Sequence, residues 1–235
     1  MLDFSVLGAD MHSHLIPGID DGSQSVESSL RMMDGLMAMG FDRFITTPHI
    51  MTEVFPNMRD NITKEYADLC SAIDTRQYRL QVAAEYFVDD AFPDRVRNGE
   101  NFLTFGDHFI LIEVSMMSRE KKLEETIFEL NLRGYRPVLA HVERYPYMFE
   151  NNKLSYYAGL MDAEVLLQVN LRSFTGNYGE IQKKIARLLA ENEMISFLGT
   201  DIHHESQLPI LHQAMKDPHV QGLLRQGKLM NQKIN

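Results

Sequence analysis

Residues 8–22 read GADMHSHLIPGIDDG, and this stretch carries the most specific pattern in the chain. A short apolar segment ends there, and His12 and His14 follow Asp10 at alternate positions. In an extended chain, side chains two residues apart point to the same side, so both imidazoles face one way. Histidine is the commonest metal ligand in proteins. The stretch therefore predicts a strand whose end offers ligands to a metal ion.

The composition is typical of a globular α/β protein. With 235 residues and 44% hydrophobic content, the chain suits one domain, and no linker or repeat divides residues 1–235. The 23 Lys and Arg residues against 33 Asp and Glu residues give a net charge of −10, which argues against nucleic acid as a partner. Cys70 is the only cysteine, so an internal disulfide is excluded and a reducing compartment fits. We expect a cytoplasmic protein without direct membrane insertion, because no run of about 18 apolar residues occurs.

Short apolar segments alternate with helical patterns along the whole chain. The helical pattern of residues 25–39 ends at Gly40, a residue typical of helix C-termini. We predict further helices over residues 57–76, 120–133, 155–163 and 178–192, and from residue 207 onward. We predict strands over residues 5–9, 43–47, 80–84, 109–112, 137–140, 165–169 and 195–198. This alternation favours parallel strands joined by crossover helices, and a barrel of about seven strands is the simplest closure.

Potential metal ligands follow almost every predicted strand. In a parallel barrel the functional groups gather where the strands end, because loops there can vary while the core stays packed. Only the sixth strand, within QVNLRSF at residues 168–174, ends without an obvious ligand. With Asp21 from the loop IPGIDDG, the chain offers these nitrogen and oxygen donors: His12, His14, Asp21, His49, Glu85, Glu113, His141, Asp201 and His203.

This set is larger than one ion can use. Divalent Mn, Fe or Zn takes about four to six ligands, and carboxylates can bridge two ions, so the set suits about two to three ions. A set of imidazoles and carboxylates without thiols does not choose among these metals. Clustered divalent ions activate water and clamp the oxygens of a phosphoryl group, so we expect a hydrolytic centre.

Each residue also has a simpler explanation. A single buried His or Glu is more often satisfied by hydrogen bonds than bound to metal, and only the whole series favours a metal centre. Asp10 and Asp20 could support ligands or simply be turn residues, since Asp20 and Asp21 precede Gly22 in a composition typical of turns. The remaining histidines do not follow predicted strands, and we expect them on the surface or in loops: His108, His204, His212 and His219.

At these residues the chain resembles the polymerase and histidinol phosphatase (PHP) superfamily, and most closely the bacterial capsule-type, metal-dependent protein-tyrosine phosphatases. The motifs that carry the resemblance run in order from residue 10 to residue 204: DMHSHLIPGIDDG, TTPHI, AEYF, LIEVS, LAHVERY and GTDIHH. The resemblance implies a distorted (β/α)7 TIM-like barrel with a trinuclear, usually manganese-dependent, centre. It implies hydrolysis of phosphotyrosine by metal-activated hydroxide. The implied substrate is a bacterial tyrosine kinase that controls capsular or exopolysaccharide synthesis and export.

The resemblance also implies roles for individual ligands. One group would surround a closely spaced pair of ions, with Glu85 as the bridge: His12, His14, Glu85, Glu113, His141 and Asp201. A second group would hold a third ion: Asp21, His49 and His203. The acid that protonates the leaving tyrosinate stays open, with Asp201 and His203 as candidates.

Two arginines are candidates for binding the substrate phosphate. Arg144, in HVERY, matches an arginine with this role in the family, and the alternative is a salt bridge to Glu143. The family often has a second such arginine just past the final histidine, where this chain reads HHESQLPIL. Arg172, after the sixth predicted strand, could supply the missing charge, and His204 is another candidate for phosphate contact. Otherwise the third metal carries more of the phosphate charge.

Two other functions are compatible with the same residues. A small-molecule phosphoesterase of the histidinol phosphate type would use the same centre, and the loops at residues 52–59 and 87–97 would decide whether the site is open or enclosed. A non-catalytic scaffold would bind metal without hydrolysing any phosphate ester.

Overall fold

The chain folds as a curled sheet of parallel strands wrapped by helices. The computed structural model describes residues 1–234, apart from the side chains of residues 151 and 152. Its strands are β1 (Ala9–Ser13), β2 (Arg43–Thr46), β3 (His49–Ile50), β4 (Arg79–Val82), β5 (Glu85–Phe87), β6 (Phe109–Glu113), β7 (Arg136–Leu139), β8 (Leu166–Asn170) and β9 (Phe197–Gly199). Its α-helices are α1 (Val26–Ala38), α2 (Arg59–Ala72), α3 (Phe92–Arg97), α4 (Leu123–Leu132), α5 (Ser155–Asp162), α6 (Glu180–Glu191), α7 (Leu208–Ala214) and α8 (Pro218–Gln226).

The strands form one distorted parallel barrel. The hydrogen-bonded orders are β1-β2-β4 and β3-β5-β6-β7-β8-β9, and every neighbouring pair is parallel. Because β3 continues β2 and β5 continues β4, the ring has seven positions. It closes between β9 and β1, where the Asp201 N–H donates to the His12 carbonyl at 2.8 Å and the His14 N–H donates to the Ile202 carbonyl at 3.0 Å. The predicted distorted barrel is confirmed.

The first predicted strand, residues 5–9, is wrong. Phe4–Val6 form a 3-10 turn, and the Asp3 carboxylate accepts a hydrogen bond from the Ser5 N–H at 3.1 Å. A local side-chain cap of this kind competes with extended structure and here prevails over the apolar pattern. Strand β1 begins at Ala9 instead, so the histidine motif lies partly within the strand rather than after it.

The other differences from the predicted elements arise at local breaks. The predicted strands 43–47 and 80–84 end early and resume as the short strands β3 and β5. Pro48, between β2 and β3, has no N–H to donate to a strand ladder. The helix predicted from residue 207 onward divides into α7 and α8, because Pro218 cannot continue a helix. The periodicity does not predict α3, since six residues are too few to establish a helical period.

Apolar side chains fill the barrel below its carboxyl end. Met11, Leu111, Val138 and Phe197 come from four different strands, and all are fully buried in one inner cluster. Ile234 joins the same cluster from the last turn of the described chain. Close packing of this kind resists collapse, so the inner cluster gives the polar residues above it a rigid floor.

A bulge in β1 separates this floor from the histidines. The register of β1 against β2 shifts between Asp10 and Ser13. A β-bulge adds a residue to one strand and re-aims the side chains that follow it. Met11 therefore packs in the inner cluster, while His12 lies among the polar side chains at the carboxyl end.

Two features bear on the expectations from composition. None of the helices within residues 1–234 is both long and apolar enough to span a bilayer. Cys70 is a free, half-buried thiol on α2, away from the inner cluster.

The inner cluster makes a testable contribution to stability. Phe197→Ala leaves a cavity inside the barrel, so we expect the free energy of unfolding to fall by about 3–5 kcal/mol. Phe128→Ala on α4 is the control, because that side chain is 64% exposed and its loss should change stability by less than about 0.5 kcal/mol. Urea denaturation of chelator-treated protein measures both. Similar losses in the two variants would contradict a packed barrel interior.

Candidate metal centre

The nine predicted ligands lie together at the carboxyl end of the barrel. Their donor atoms form four overlapping groups, and within each group all donor atoms lie within 4.8 Å of one another. The groups are His12, Glu85 and His141; His12, His14 and Asp201; His49, Glu85 and Glu113; and His14, Asp21, His49 and His203. We call these nine residues the donor cluster. The structure brings them together, and their binding of metal stays a prediction.

Glu85 is the centre of the donor cluster. It is fully buried, and its Oε1 lies 2.9 Å from His141 Nε2. Its Oε2 lies 3.2 Å from His12 Nε2, 3.1 Å from His49 Nδ1 and 3.5 Å from His14 Nε2. A carboxylate whose two oxygens face four imidazoles from the ends of three strands has the contacts that a bridging ligand requires.

The division into a pair of ions and a third ion is less sharp than the resemblance implies. His49 Nε2 lies 3.6 Å from Asp21 Oδ1, and His203 Nε2 lies 3.5 Å from the same oxygen. His49 also faces Glu85 and Glu113 through Nδ1. His14 belongs both to the group around Asp201 and to the group around Asp21. Two histidines therefore stand between the two expected sites.

Fixed acceptors determine which nitrogen of three histidines carries the proton. Each donates from Nδ1 to an oxygen: His12 to Gln168 Oε1 at 3.1 Å, His14 to Asp20 Oδ2 at 2.8 Å, and His203 to the Asp201 carbonyl at 3.0 Å. In the neutral form of each ring the lone pair is then on Nε2, the atom that faces the donor cluster. A second hydrogen bond of this kind is the usual support of a metal-binding histidine.

Several buried polar atoms of the donor cluster lack a hydrogen-bond partner among the described residues. His49 Nδ1 lies 3.1 Å from Glu85 Oε2 and 3.0 Å from Glu113 Oε1, yet none of the three atoms makes a hydrogen bond. The Nε2 atoms of His12 and His14 face each other at 3.4 Å. Buried polar atoms that lack a partner are costly unless a cation satisfies them. The donor set therefore fits divalent Mn, Fe or Zn.

Burial and charge shift the pKa values in the donor cluster. Burial raises the pKa of Glu113 to about 7, and the neighbouring Glu85 carboxylate adds to the shift. Burial opposes the charged form of His12, but the carboxylates of Glu85 and Asp201 prevail and raise its pKa to about 9. Protons thus compensate part of the buried charge when no cation is bound, and metal binding would release them.

Two glycines allow the backbone to approach the histidines. A Cβ on Gly22 would lie 2.4 Å from the Cβ of His14, and a Cβ on Gly199 would lie 2.9 Å from the Cβ of His12. Both distances are shorter than real Cβ contacts, so any larger residue would displace a predicted ligand. From the sequence, Gly22 is predicted only as a turn residue. The close approach of its backbone to His14 arises only in the folded chain.

Two predicted ligands occupy strained backbone positions. His141 has φ of 32° and Asp201 has φ of 50°, in the left-handed region that residues with a Cβ avoid. Such a conformation costs about 1–3 kcal/mol and persists only where surrounding contacts impose it. The His141 N–H donates to Gln168 Oε1 at 2.8 Å, and the Asp201 N–H donates to the His12 carbonyl at 2.8 Å. Strain at these positions is consistent with a functional site.

Strand β8, which lacks a predicted ligand, orients the ligands of other strands. Gln168 accepts hydrogen bonds from His12 and His141, and its Nε2 donates to Asn170 Oδ1 at 2.8 Å. Asn170 Nδ2 then donates to Asp201 Oδ2 at 2.7 Å. Sequence reasoning missed both amides. Their spacing in QVN, two polar residues at alternate positions near a strand end, is the signal that could have identified them.

Asp20 supports the donor cluster from the loop after β1. Its Oδ2 accepts hydrogen bonds from His14 Nδ1 and from the His49 N–H at 3.1 Å, while its Oδ1 accepts one from the Gly22 N–H at 2.9 Å. Asp10 is buried below, and its Oδ1 accepts a hydrogen bond from the Thr200 N–H at 3.0 Å. Both aspartates therefore act as supporting groups, one of the two possibilities considered for them.

A cavity of about 480 Å³ opens above the donor cluster, and we call it the site cavity. Arg144 and Arg172 both line it, together with His204. Arg144 Nη1 donates to Asp201 Oδ2 at 3.3 Å, so its ion pair is not with Glu143. Glu143 instead accepts hydrogen bonds from the Asn170 N–H and the Ser173 hydroxyl.

Tyr178 joins the two arginines and was missed by sequence reasoning. The guanidinium carbons of Arg144 and Arg172 lie 4.5 Å and 4.9 Å from the centre of its ring. Its hydroxyl donates to Asp201 Oδ2 at 3.2 Å. Arg172 Nη2 donates to the Asp201 carbonyl at 2.7 Å, and its Nε has no partner among the described residues. The phenol ring thus holds two cations at one wall of the site cavity.

A distorted parallel barrel with histidines and carboxylates gathered at its carboxyl end places the chain in the class of α/β-barrel proteins with a candidate metal centre. The family model described as "Capsular polysaccharide synthesis, CpsB/CapC" matches residues 8–219. The chain therefore belongs to the CpsB/CapC family of capsular polysaccharide synthesis.

Several characterised sequences are similar over most of the chain. Tyrosine-protein phosphatase YwqE of Bacillus subtilis (strain 168) is 27% identical over 211 residues, which cover 83% of this chain and 77% of YwqE. Putative tyrosine-protein phosphatase CapC of Staphylococcus aureus is 22% identical over 238 residues, covering 96% and 92%. Tyrosine-protein phosphatase CpsB of Streptococcus pneumoniae is 24% identical over 220 residues, covering 87% of each chain.

Solved structures share the fold. One, from a study of YwqE and CpsB described as unique metal-dependent tyrosine phosphatases, matches with a TM-score of 0.77 and 23% identity over 97% of this chain and 95% of that chain. Histidinol phosphate phosphatase from Lactococcus lactis, in complex with zinc, L-histidinol and phosphate, matches with a TM-score of 0.56 and 14% identity over 97% of each chain. At these identities the likeness supports the barrel and not a particular substrate.

The contacts of Asp20 predict its effect on metal affinity. Asp20→Asn replaces an acceptor of the His14 proton by an amide, so we expect Mn affinity to fall by about 10- to 100-fold. Competition with a chromogenic chelator measures the affinity. Asp68→Asn is the control, because this exposed carboxylate pairs only with Lys64 on α2. Unchanged affinity in Asp20→Asn would contradict the supporting role.

Proposed function

We propose that this chain is a metal-dependent protein-tyrosine phosphatase that hydrolyses the phosphate ester of phosphotyrosine. The observation that carries the proposal is the site cavity, in which two guanidinium groups face a cluster of metal-binding donors. Membership of the CpsB/CapC family and the names of the related sequences support the same reaction. We further propose that residues 1–235 act as one cytoplasmic domain.

The donor cluster would hold about two to three divalent ions, with Mn expected and Fe or Zn as alternatives. Such ions lower the pKa of water and neutralise phosphoryl oxygens when bound. The residues proposed to hold them are His12, His14, Asp21, His49, Glu85, Glu113, His141, Asp201 and His203.

The two arginines are proposed to bind the substrate phosphate. Arg144 reaches the site cavity from the turn after β7, and its partner Asp201 keeps the guanidinium beside the donor cluster. Arg172 is more buried than Arg144, and its Nη2 donates to the Asp201 carbonyl. Its Nε has no hydrogen-bond partner among the described residues. Two cations on one wall would neutralise phosphoryl oxygens and develop stronger contacts as negative charge grows in the transition state.

His203 is the better of the two candidates for protonating the leaving tyrosinate. Both carboxylate oxygens of Asp201 already have partners: Oδ1 lies 3.5 Å from His12 Nε2, and Oδ2 accepts hydrogen bonds from Asn170 and Tyr178. A proton on Asp201 would disturb these contacts. His203 lines the site cavity, and its Nε2 lies 3.5 Å from Asp21 Oδ1. It would act as the acid only in a state in which Nε2 carries a proton and does not bind an ion.

The proposed partner is a phosphotyrosine protein, and we propose a bacterial tyrosine kinase of capsular or exopolysaccharide synthesis. The support for this role is the family, whose description is capsular polysaccharide synthesis. A small-molecule phosphate ester is the competing substrate, and direct comparison of a phosphotyrosine peptide with histidinol phosphate separates the two.

The ligand assignment predicts which variants lose activity. His49→Ala and Asp201→Ala should fold and lose more than about 100-fold in kcat/KM on a phosphotyrosine peptide, because each removes a proposed metal ligand. His212→Ala on α7 is the control, since this histidine is exposed and lies outside the site cavity lining. Protein stripped and reloaded with Mn is assayed on the peptide and on histidinol phosphate. Full activity in either ligand variant would exclude the assignment, and turnover of histidinol phosphate alone would favour the small-molecule enzyme.

The arginine assignment has a separate test. Arg144→Ala and Arg172→Ala should each lower kcat/KM on the peptide by about 10- to 150-fold, because a hydrogen bond between charged groups contributes about 1.5–3 kcal/mol. Arg187→Ala is the control, since that guanidinium pairs with Asp217 away from the site cavity. Unchanged kinetics in Arg172→Ala would leave Arg144 as the single phosphate-binding arginine.

A further inference from the structure

Four apolar side chains form part of the lining of the site cavity, and we call them the apolar wall. Met51, Val54 and Phe55 line the cavity from the loop after β3, and Met116 lines it from the loop after β6. Neither the arginines nor the donor cluster needs apolar neighbours, because both act on charged oxygens. The apolar wall would therefore contact a part of the bound substrate other than its phosphate.

Hydrogen bonds hold the loop after β3, which carries three of these side chains. The N–H of Met51 donates to the Phe55 carbonyl at 2.9 Å, and the N–H of Phe55 donates to the Met51 carbonyl at 2.9 Å. Asn57 Nδ2 donates to the His49 carbonyl at 2.8 Å and to the Ile19 carbonyl at 2.9 Å. The hairpin of residues 51–55 is thus connected to the backbone of His49, a predicted metal ligand. A substrate would not have to order this hairpin when it binds.

Two side chains of the hairpin have unusual surroundings. The Phe55 ring stacks on the His49 ring, with centroids 5.4 Å apart and an interplanar angle of 10°. Val54, at the tip, is 60% exposed although it is β-branched and apolar. An exposed apolar side chain that lines a polar cavity is a typical feature of a ligand-binding surface.

We propose that Val54 and Phe55 form a subsite for the aromatic ring of the ester and give the site its preference for aryl over alkyl phosphates. The inference rests on the proposed function for the position of the phosphate, between the two arginines and the donor cluster. A ring attached to that phosphate would lie in the remaining space and bury apolar area against the hairpin. An alkyl ester such as phosphoserine offers no ring, and its polar backbone would meet the apolar wall instead.

The first test compares two phosphonates that carry either a phenyl ring or an ethyl group on phosphorus. Phenylphosphonate and ethylphosphonate carry the same headgroup, and calorimetric titration of the Mn-loaded protein measures the dissociation constant of each. We expect the wild-type protein to bind phenylphosphonate about ten times more tightly, and Val54→Ser and Phe55→Ala to reduce this ratio several-fold. Ile181→Ser and Phe128→Ala are the matched controls, because these side chains are 58% and 64% exposed on helices away from the site cavity. A ratio that is the same in the hairpin variants and the wild type would overturn the inference.

A second test uses turnover. On peptides of one sequence, the loss of kcat/KM in Val54→Ser should be about tenfold larger for phosphotyrosine than for phosphoserine. Phe55→Leu keeps the apolar volume without the stacked ring, and its metal content is measured beside its kinetics because Phe55 touches His49. Equal losses on both peptides would overturn the inference while the phosphatase proposal stands. Absence of hydrolysis together with a ring preference that the hairpin variants abolish would overturn the phosphatase proposal and keep the subsite.

Discussion

The structure depends on the burial of a carboxylate among imidazoles. Glu85 has no exposed surface, and His12, His14, His49 and His141 approach its two oxygens within 3.5 Å. Removing so many ionisable groups from water is unfavourable unless their charges are compensated. Only a fold that brings several strand ends to one point can assemble such a cluster, and only a rigid floor can hold it. The bulge in β1 and the packed barrel interior meet these two requirements.

A layer of supporting groups converts this crowded cluster into an ordered site. Gln168 and Asp20 fix the protonated nitrogen of two histidines, and glycines permit the close approach that both histidines need. Asp201 connects the donor cluster to the side chains that line the cavity beside it, because one of its oxygens faces imidazoles and the other faces Arg144, Asn170 and Tyr178. Metal binding and phosphate binding would therefore share one carboxylate. A movement of Asp201 would therefore change its contacts with the imidazoles and its contacts with Arg144 and Tyr178 together.

The barrel and the loops make different contributions to function. The barrel is shared with solved proteins that, by their descriptions, act on tyrosine phosphate or on histidinol phosphate, so the fold alone does not decide the substrate. Substrate preference must then come from the loops at the carboxyl ends of the strands. In this chain the hairpin at residues 51–55 presents Val54 and Phe55, and the turn at Leu171–Thr175 presents Arg172.

The sequence by itself determined the barrel and the identity of the donors. Hydrophobic periodicity is a local property of the sequence, so it predicts the strands and helices of the barrel. Residues such as His141 and Glu113 directly follow apolar segments, so neighbouring residues were enough to identify them as donors. Asp3 shows the limit of that reasoning, because one local hydrogen bond converted a predicted strand into a turn. The tertiary structure alone decided the roles of Gln168, Tyr178 and the hairpin at residues 51–55. Gln168 meets His12 across 156 residues of chain, and contacts at such a distance in sequence depend on the folded geometry rather than on any local pattern.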